Sequence, residues 1–397
     1  MGGEWDLITF CSPGRIEIGA DSISRIGDLV KSLGGTQVLV VMDAFLTTPA
    51  IGLERRVIGL LGHAGIKAAA FSAISGEPNS RHVSAGILAA KETGTDCVIA
   101  LGGGSSIDTA KAGAVLAVNP GLAFVDIAKQ MKLNRLPLIA IPTTSGTGSE
   151  ATRVSVITNE SSGLKENPGH PSLVPDIAVL DPQLSVSLPP GLTAFTGMDA
   201  LTHAIEAYVS SKANSLSDLF AFKAMKIIGQ CIEKAVTDGT DLEAREKMAL
   251  ASCLAGVAFS NASTNLAHAG GRALGTYFHV PHGLSVALLL PFVMEFSLEA
   301  AEDRYAKVAV ALGANAHNSC DVLAKQAIDM VYAYNDKFGV WQEAKSKFIP
   351  DVAILRQAIP EMVSNTLSGN GILTNRKVPT EVDVTDMFMK LAAKLRE

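Results

Sequence analysis

From residue 37 onward the chain alternates short aliphatic, β-branched runs with stretches whose apolar positions recur every three to four residues. Strands are predicted at QVLVVMD, IKAAAF and DCVIALGG, with helices over 53–63 and 82–92 between them. That order suits parallel strands joined by crossover helices. Further strands are predicted at LPLIAIPTT, RVSVIT and DIAVLD. After Leu188-Pro189-Pro190-Gly191, a plausible hinge, strand signals stop and long amphipathic stretches such as MDALTHAIEAYVS and EAREKMALASCLAGVAF take over. The expected fold is an α/β domain with a parallel sheet over 1–188 and an all-helical domain over 189–397. A ligand cleft is expected where the two domains meet.

Composition narrows the function. At 397 residues the chain is long enough for two cores, and with 48% apolar and 18% charged residues it suits a folded enzyme or an oligomer. The net charge of -6 and scattered Lys and Arg give no basic stripe, so nucleic acid is not an expected partner. Cys11, Cys97, Cys231, Cys253 and Cys320 are odd in number and widely spaced, which fits a reducing, cytoplasmic compartment. The start, MGGEWDLITF, lacks the basic and apolar regions of a secretory leader. The apolar run LSVALLLPFVMEF is read as too short to span a bilayer and as a buried helix pair broken at Pro291, so no membrane partner is expected.

Two loops carry the nucleotide signal. The strand VIALGG runs into Gly102, Gly103, Gly104, Ser105 and Ser106, then into a helix containing Asp108 and Lys111. Successive glycines let backbone N–H groups approach a diphosphate, and the helix N-terminus adds partial positive charge. The spacing is not G-x-G-x-x-G, and a purely structural glycine turn is the alternative. A second loop, with Thr143, Thr144, Ser145 and Thr147, leaves the carboxyl end of the next apolar strand, where open α/β sheets bind ligands. Together the loops imply one dinucleotide, with Asp108 counted among its binding residues. Asp43 ends LVVMD, where a carboxylate bonds the ribose hydroxyls and repels a 2′-phosphate, favouring NAD. A helix cap would explain Asp43 equally well.

The second half carries a metal signal. Asp199 and His203 stand four apart in a helical context and so share a face. His268, His279 and His282 cluster in NLAHAGGRALGTYFHVPHGLS. One carboxylate and several imidazoles suit a divalent ion such as iron or zinc. His279 is the weakest ligand candidate, its alternative being a helix-flanking residue near the pocket. A metal that polarises an alcohol oxygen complements a cofactor that accepts hydride. The pair points to hydride transfer between an alcohol and its aldehyde.

In ALGGGSSIDTAKA, IPTTSGTGSEAT, PDIAVLDP, GMDALTHAIEAYVS, AFSNASTNLAHAGGRALG and VPHGLSVALLLPFVMEF, the chain resembles the iron-containing (group III) alcohol dehydrogenase family over nearly its whole length. The resemblance implies an active site between the two domains, usually in a homodimer. It implies ligands at Asp199, His203, His268 and His282 for Fe²⁺, or in some members Zn²⁺ or another divalent ion. It also implies a diphosphate on Gly102 to Ser106, with Thr144, Ser145 and Thr147 reaching the rest of the NAD, and NAD preference at Asp43.

Two departures stand out. Four residues after His268, where many members carry a second histidine, this chain has Arg272. A permanent cation one turn from a ligand suits an aldehyde bearing a sulfonate, phosphonate or carboxylate, while a structural ion pair or a cofactor contact are its alternatives. Arg272 and His279 are therefore the catalytic candidates beside the metal. In SSGLKENPGHPSLVPD, Lys165 and His170 are read as an exposed loop in preference to a cleft lining. Two other function classes compete: a dehydroquinate-synthase-like lyase using NAD and a metal, and a non-catalytic NAD-binding protein.

Overall fold

Alternate residues of one central strand feed two different cores, and this places the nucleotide loops. The computed structural model describes residues 7–396; residues 1–6, part of the stretch read for a secretory leader, lie outside the described residues. The strands are β1 (Arg15–Ile18), β2 (Gln37–Asp43), β3 (Lys67–Ile74), β4 (Cys97–Gly102), β5 (Leu138–Pro142), β6 (Ile157–Thr158), β7 (Lys165–Glu166) and β8 (Ile177–Leu180). Six of them form a parallel sheet in the order β1-β8-β5-β4-β2-β3. Val38, Val40 and Met42 of β2, with Ile99 and Leu101 of β4, pack with α1 (Ile26–Ser32) and α2 (Leu53–His63). Leu39, Val41, Val98 and Ala100 face the other way, toward α3 (Ser80–Glu92) and α4 (Gly104–Leu116). Both faces are covered, which is why these strands read as continuous apolar runs.

The strand order reverses between β2 and β4, since β3 lies beyond β2 and β4 on its other side. Open α/β sheets bind ligands outside the carboxyl ends of strands at such a point. Asp43 and Gly102 end those two strands.

Two strand expectations need correction. RVSVIT does not join the main sheet; only Ile157–Thr158 is extended, and it pairs antiparallel with Lys165–Glu166. The backbone groups that a ladder would need are engaged elsewhere, because the Ser155 N–H donates to the Pro168 carbonyl and the Val156 N–H to the Asp108 carboxylate. The short edge strand β1 went unanticipated, since Ile16 and Ile18 are exposed and leave it without an apolar signature.

The chain divides into two compact units, one comprising 11–187 and 240–253, the other 188–239, 254–396 and the described residues up to Phe10. Thr240–Cys253, expected in the helical half, thus groups with the α/β unit. The remaining helices are α5 (Pro190–Val209), α6 (Ser215–Thr237), α7 (Leu242–Ala262), α8 (Leu266–Phe278), α9 (His282–Ser297), α10 (Glu302–Leu312), α11 (Cys320–Lys337), α12 (Val340–Glu343), α13 (Val352–Leu367) and α14 (Glu381–Lys394). Helix α5 starts with Pro190 in its first turn, where the missing N–H costs nothing, and is buried on nearly every side. It packs on α6 and α9.

The run around Pro291 is one helix, not a pair. Pro291 sits inside α9, a substitution of ring for N–H that the buried packing around it tolerates. Residues 282–300 are long and apolar enough to cross a membrane by length and composition, contrary to the expectation, but the segment is mostly buried against α5, α8 and α11. Its apolarity serves a protein core.

Candidate metal and nucleotide sites

Three helices of the second unit bring the metal candidates together. Asp199 and His203 lie on α5, His268 in the first turn of α8, and His282 at the first residue of α9. One ligand atom each from Asp199, His268 and His282 lie within 4.8 Å of one another. From Asp199 Oδ1 the distances are 3.6 Å to His268 Nε2, 3.7 Å to His282 Nε2 and 3.8 Å to His203 Nδ1. The His203 ring stacks on Phe259 at 4.2 Å and stands 4.3 Å from the His268 ring. Asp199, His268 and His282 therefore form the compact ligand group, and His203 stands beside it with Nδ1 facing Asp199.

Close backbone approach makes this convergence possible. A Cβ at Gly283 would come within 2.4 Å of the Phe195 carbonyl oxygen. Only glycine lets the start of α9 lie against α5 there, and His282 precedes it directly.

Glu206 completes the arrangement and was missed in the sequence reading. Its Oε2 lies 2.6 Å from His268 Nδ1 and accepts from the Asn265 N–H at 2.8 Å, while Oε1 accepts from the Ala267 N–H at 2.6 Å. One carboxylate thus caps the N-terminus of α8, whose own N-cap residue Asn265 supplies no side-chain cap. It also holds the His268 ring with Nδ1 as donor, leaving Nε2 to present a lone pair. A signal existed: Asp199, His203 and Glu206 follow at spacings of four and three on one helical face.

The chemistry of the donors fits a cation. Asp199 Oδ1 and His268 Nε2 are buried and have no hydrogen-bond partner among the described residues. Such orphaned atoms are costly unless something else satisfies them. Burial alone would raise the Asp199 carboxyl, but attraction to His203, His282 and His268 outweighs it and holds the group well below the usual carboxylate range. At His268 burial works against charge, yet Glu206 and Asp199 push the imidazole up to about 9, so a cation bound there would take the place of the Nε2 proton. Two buried carboxylates demand positive charge between them, and a divalent ion meets that demand with the lone pairs on hand.

The two catalytic candidates differ in placement. His279 closes α8 in the left-handed conformation at φ 55°, a backbone region tolerated there at helix ends. It is exposed and stands outside the ligand cluster, so the helix-flanking alternative describes it. Arg272 is half-buried one turn after His268, with its guanidinium against Gly369. It forms no hydrogen bond or salt bridge with any described residue; burial disfavours its charge and the field of Glu206 supports it.

In the first unit the two loops meet. Gly102 pairs in register with Pro142, and the Thr143 N–H donates to the Gly102 carbonyl at 3.0 Å. Gly102 has φ +142°, and a Cβ there would lie 2.6 Å from Ser106 Oγ. Glycine is required by both conformation and space. Gly103 is the N-cap of α4 without any side-chain cap, so the first-turn N–H groups from Gly104, Ser105 and Ser106 are presented as an anion cradle. Thr144 lies beside Gly103 and Thr147 beside Gly104, with Ser145 between them on the same loop. These residues fit a dinucleotide diphosphate.

Asp108 has a different role from the one expected. Its Oδ1 accepts from the Ser149 hydroxyl and its Oδ2 from the Val156 N–H at 2.9 Å, so its carboxylate faces the protein. Asp43 caps the turn after β2 with one of its two carboxylate oxygens, Oδ1 accepting from the Phe45 N–H at 2.8 Å. Lys165 pairs with Glu77 at 2.9 Å, and the buried His170 caps its own turn through Nδ1, accepting from the Ser172 N–H at 3.0 Å. His170 is thus not part of an exposed loop, though its role is structural.

Residues 13–182 match the family model for iron-containing alcohol dehydrogenase, and residues 193–392 match that for the Fe-containing alcohol dehydrogenase family, C-terminal. The NAD-dependent methanol dehydrogenase of Bacillus methanolicus is 34% identical over 384 residues, covering 96% of this chain and 99% of that protein. The crystal structure of a 1,3-propanediol oxidoreductase superposes with a TM-score of 0.91 at 31% identity, covering 97% of this chain and 100% of the other. A sulfoacetaldehyde reductase from Bifidobacterium kashiwanohense, solved in complex with NAD+, superposes with a TM-score of 0.84 at 29% identity, covering 98% and 99%.

Proposed function

Because this chain belongs to the iron-containing alcohol dehydrogenase family and is an NAD-dependent alcohol dehydrogenase, we propose that its substrate is a short aldehyde, or the matching primary alcohol, that carries a sulfonate, phosphonate or carboxylate. The lyase and the non-catalytic alternatives fall with the family match. In this reading Asp199, His203, His268 and His282 hold a divalent cation, with Fe²⁺ ahead of Zn²⁺. The loops Gly102–Ser106 and Thr143–Thr147 hold NAD(H), and Asp43 favours it over its 2′-phosphate relative. The enzyme works as a homodimer in a reducing cytoplasm, for which its five free thiols speak.

Arg272 carries the substrate assignment. Its carboxylate neighbour Glu206 already accepts from Asn265, Ala267 and His268, so that carboxylate is committed elsewhere. A guanidinium in that position is ready for a bidentate anion from outside the chain. Among the similar proteins, one is named a sulfoacetaldehyde reductase, which acts on an aldehyde of this class, while the methanol dehydrogenase and the 1,3-propanediol oxidoreductase are named for neutral alcohols, so the assignment stands on Arg272.

The chain's own groups then divide the work. A bound divalent cation supplies Lewis acidity toward the substrate oxygen. Asp199 supplies the negative charge that retains it, and Glu206 keeps the His268 tautomer fixed. Arg272 orients the aldehyde by its distal anion, a contact made equally in ground and transition states. His279, exposed at the end of α8, is given no step.

A panel of propanal, sulfoacetaldehyde, phosphonoacetaldehyde and succinate semialdehyde, reduced with NADH after Fe²⁺ or Zn²⁺ loading, tests the reading. The anionic aldehydes should have the higher kcat/KM, and Arg272→Ala should raise their KM about tenfold or more while leaving propanal unchanged. Equal turnover of propanal and its anionic analogues would remove Arg272 from substrate recognition.

A further inference from the structure

We infer that Asp108 and Lys111 are positioning residues for the dinucleotide, lashing the second nucleotide loop to the helix that opens on the first. The inference rests on NAD(H) binding at the two loops as read above. Both residues lie on α4, one turn apart, directly behind the glycine cradle. Asp108 accepts from the Ser149 hydroxyl, from the Val156 N–H at 2.9 Å and, through its backbone carbonyl, from the Ser155 hydroxyl at 2.9 Å. Lys111 Nζ donates to Thr152 Oγ1 at 2.8 Å and to the Val154 carbonyl at 2.9 Å. The two charges stand 3.8 Å apart.

Lys111 is 0% exposed, an expensive place for an ammonium. Apolar side chains of similar volume would fill the space at no such cost, so what the lysine contributes is the bonds it makes. What it holds is the downstream flank of the loop. The upstream flank is tied by Thr143 to Gly102. Between these anchors the tip from Thr144 to Thr147 carries none of the bonds to α4, so its place beside the helix N-terminus is set by the flanks. A dinucleotide that spans the cradle and the tip is therefore sensitive to a brace it does not touch.

The brace also explains why Ser149 and Thr152 are buried although they sit in a polar loop. Glu150 joins them at 1% exposure; burial raises its carboxyl to about 7, with its own backbone N–H and the nearby Lys111 opposing that rise. The loop's polar residues thus face two ways, toward the cofactor at the tip and toward α4 behind it.

The test uses the full-length, metal-loaded enzyme with NADH as the probe. Thr152→Val removes the Lys111 acceptor at nearly constant shape, and Asp108→Asn removes the charge while keeping the size. Lys111→Met is the direct variant, but the other two keep the test open if it fails to fold. NADH dissociation constants come from nicotinamide fluorescence titration, beside NADH KM and kcat from steady-state rates. Thr152→Val and Asp108→Asn should each weaken NADH binding about tenfold and raise NADH KM alike, with kcat and metal content little changed, and Thr152→Ser should restore wild-type binding. If both variants fold and bind NADH within about twofold of wild type, the residues are merely structural and the inference is overturned. A wild-type enzyme that binds no NADH would instead sink the cofactor reading beneath it.

Discussion

In the proposed reading, the metal cluster and the nucleotide cradle solve the same problem, holding a charged partner, with opposite materials. Asp199, His203, His268 and His282 offer side-chain atoms from three helices, and Glu206 and Gly283 set their angles. The cradle offers backbone N–H groups at Gly104–Ser106, while side chains such as Asp108 and Lys111 stand behind as braces. A side-chain site fails when a ligand is lost. A backbone site fails when its conformation is lost, so its weak points are a glycine and a brace that contact nothing in the ligand.

That contrast can be broken in order of expected effect. Asp199→Ala should lower turnover about a thousandfold or more, since it removes the central ligand, while NADH affinity by fluorescence titration stays within about twofold. A parallel fall in NADH affinity would show that the two sites are not separable in this way. Glu206→Gln should weaken the divalent ion about 10- to 100-fold in a chelator competition, because the His268 tautomer and the α8 cap both lose their anchor. Unchanged metal affinity would reduce Glu206 to a helix cap. Gly102→Ala should weaken NADH about tenfold, the cost of forcing φ +142° and a 2.6 Å approach to Ser106 Oγ on a residue with a Cβ, and should leave metal content intact. NADH binding unaffected by that change would mean the turn is structural only.

What could be read from the chain followed the same division. Parallel strands were legible because both faces of β2, β4 and β5 are buried, which makes their apolar runs continuous. β1 was not, since its isoleucines are exposed. The metal candidates were legible because a ligand must be a particular residue type at a particular helical spacing. Glu206 was overlooked although it shares the face of Asp199 and His203, because its partners, the α8 N-terminus and His268, are some sixty residues away in sequence. Asp108 was assigned to the cofactor by proximity to the glycines, and only its bonds to Ser149 and Val156 reveal that it points the other way. The Pro291 break was also misjudged: a proline ends a helix in isolation, but α9 is held through it by packing on α5, α8 and α11.

The most direct measurement is metal stoichiometry by elemental analysis after Fe²⁺ or Zn²⁺ loading of wild type and of a His268→Ala/His282→Ala double variant, with thermal unfolding to confirm that both are folded. The account predicts about one divalent ion per wild-type chain and none retained by the variant. A folded double variant that keeps the ion, or a wild type that never binds one while turning over NADH, would contradict it.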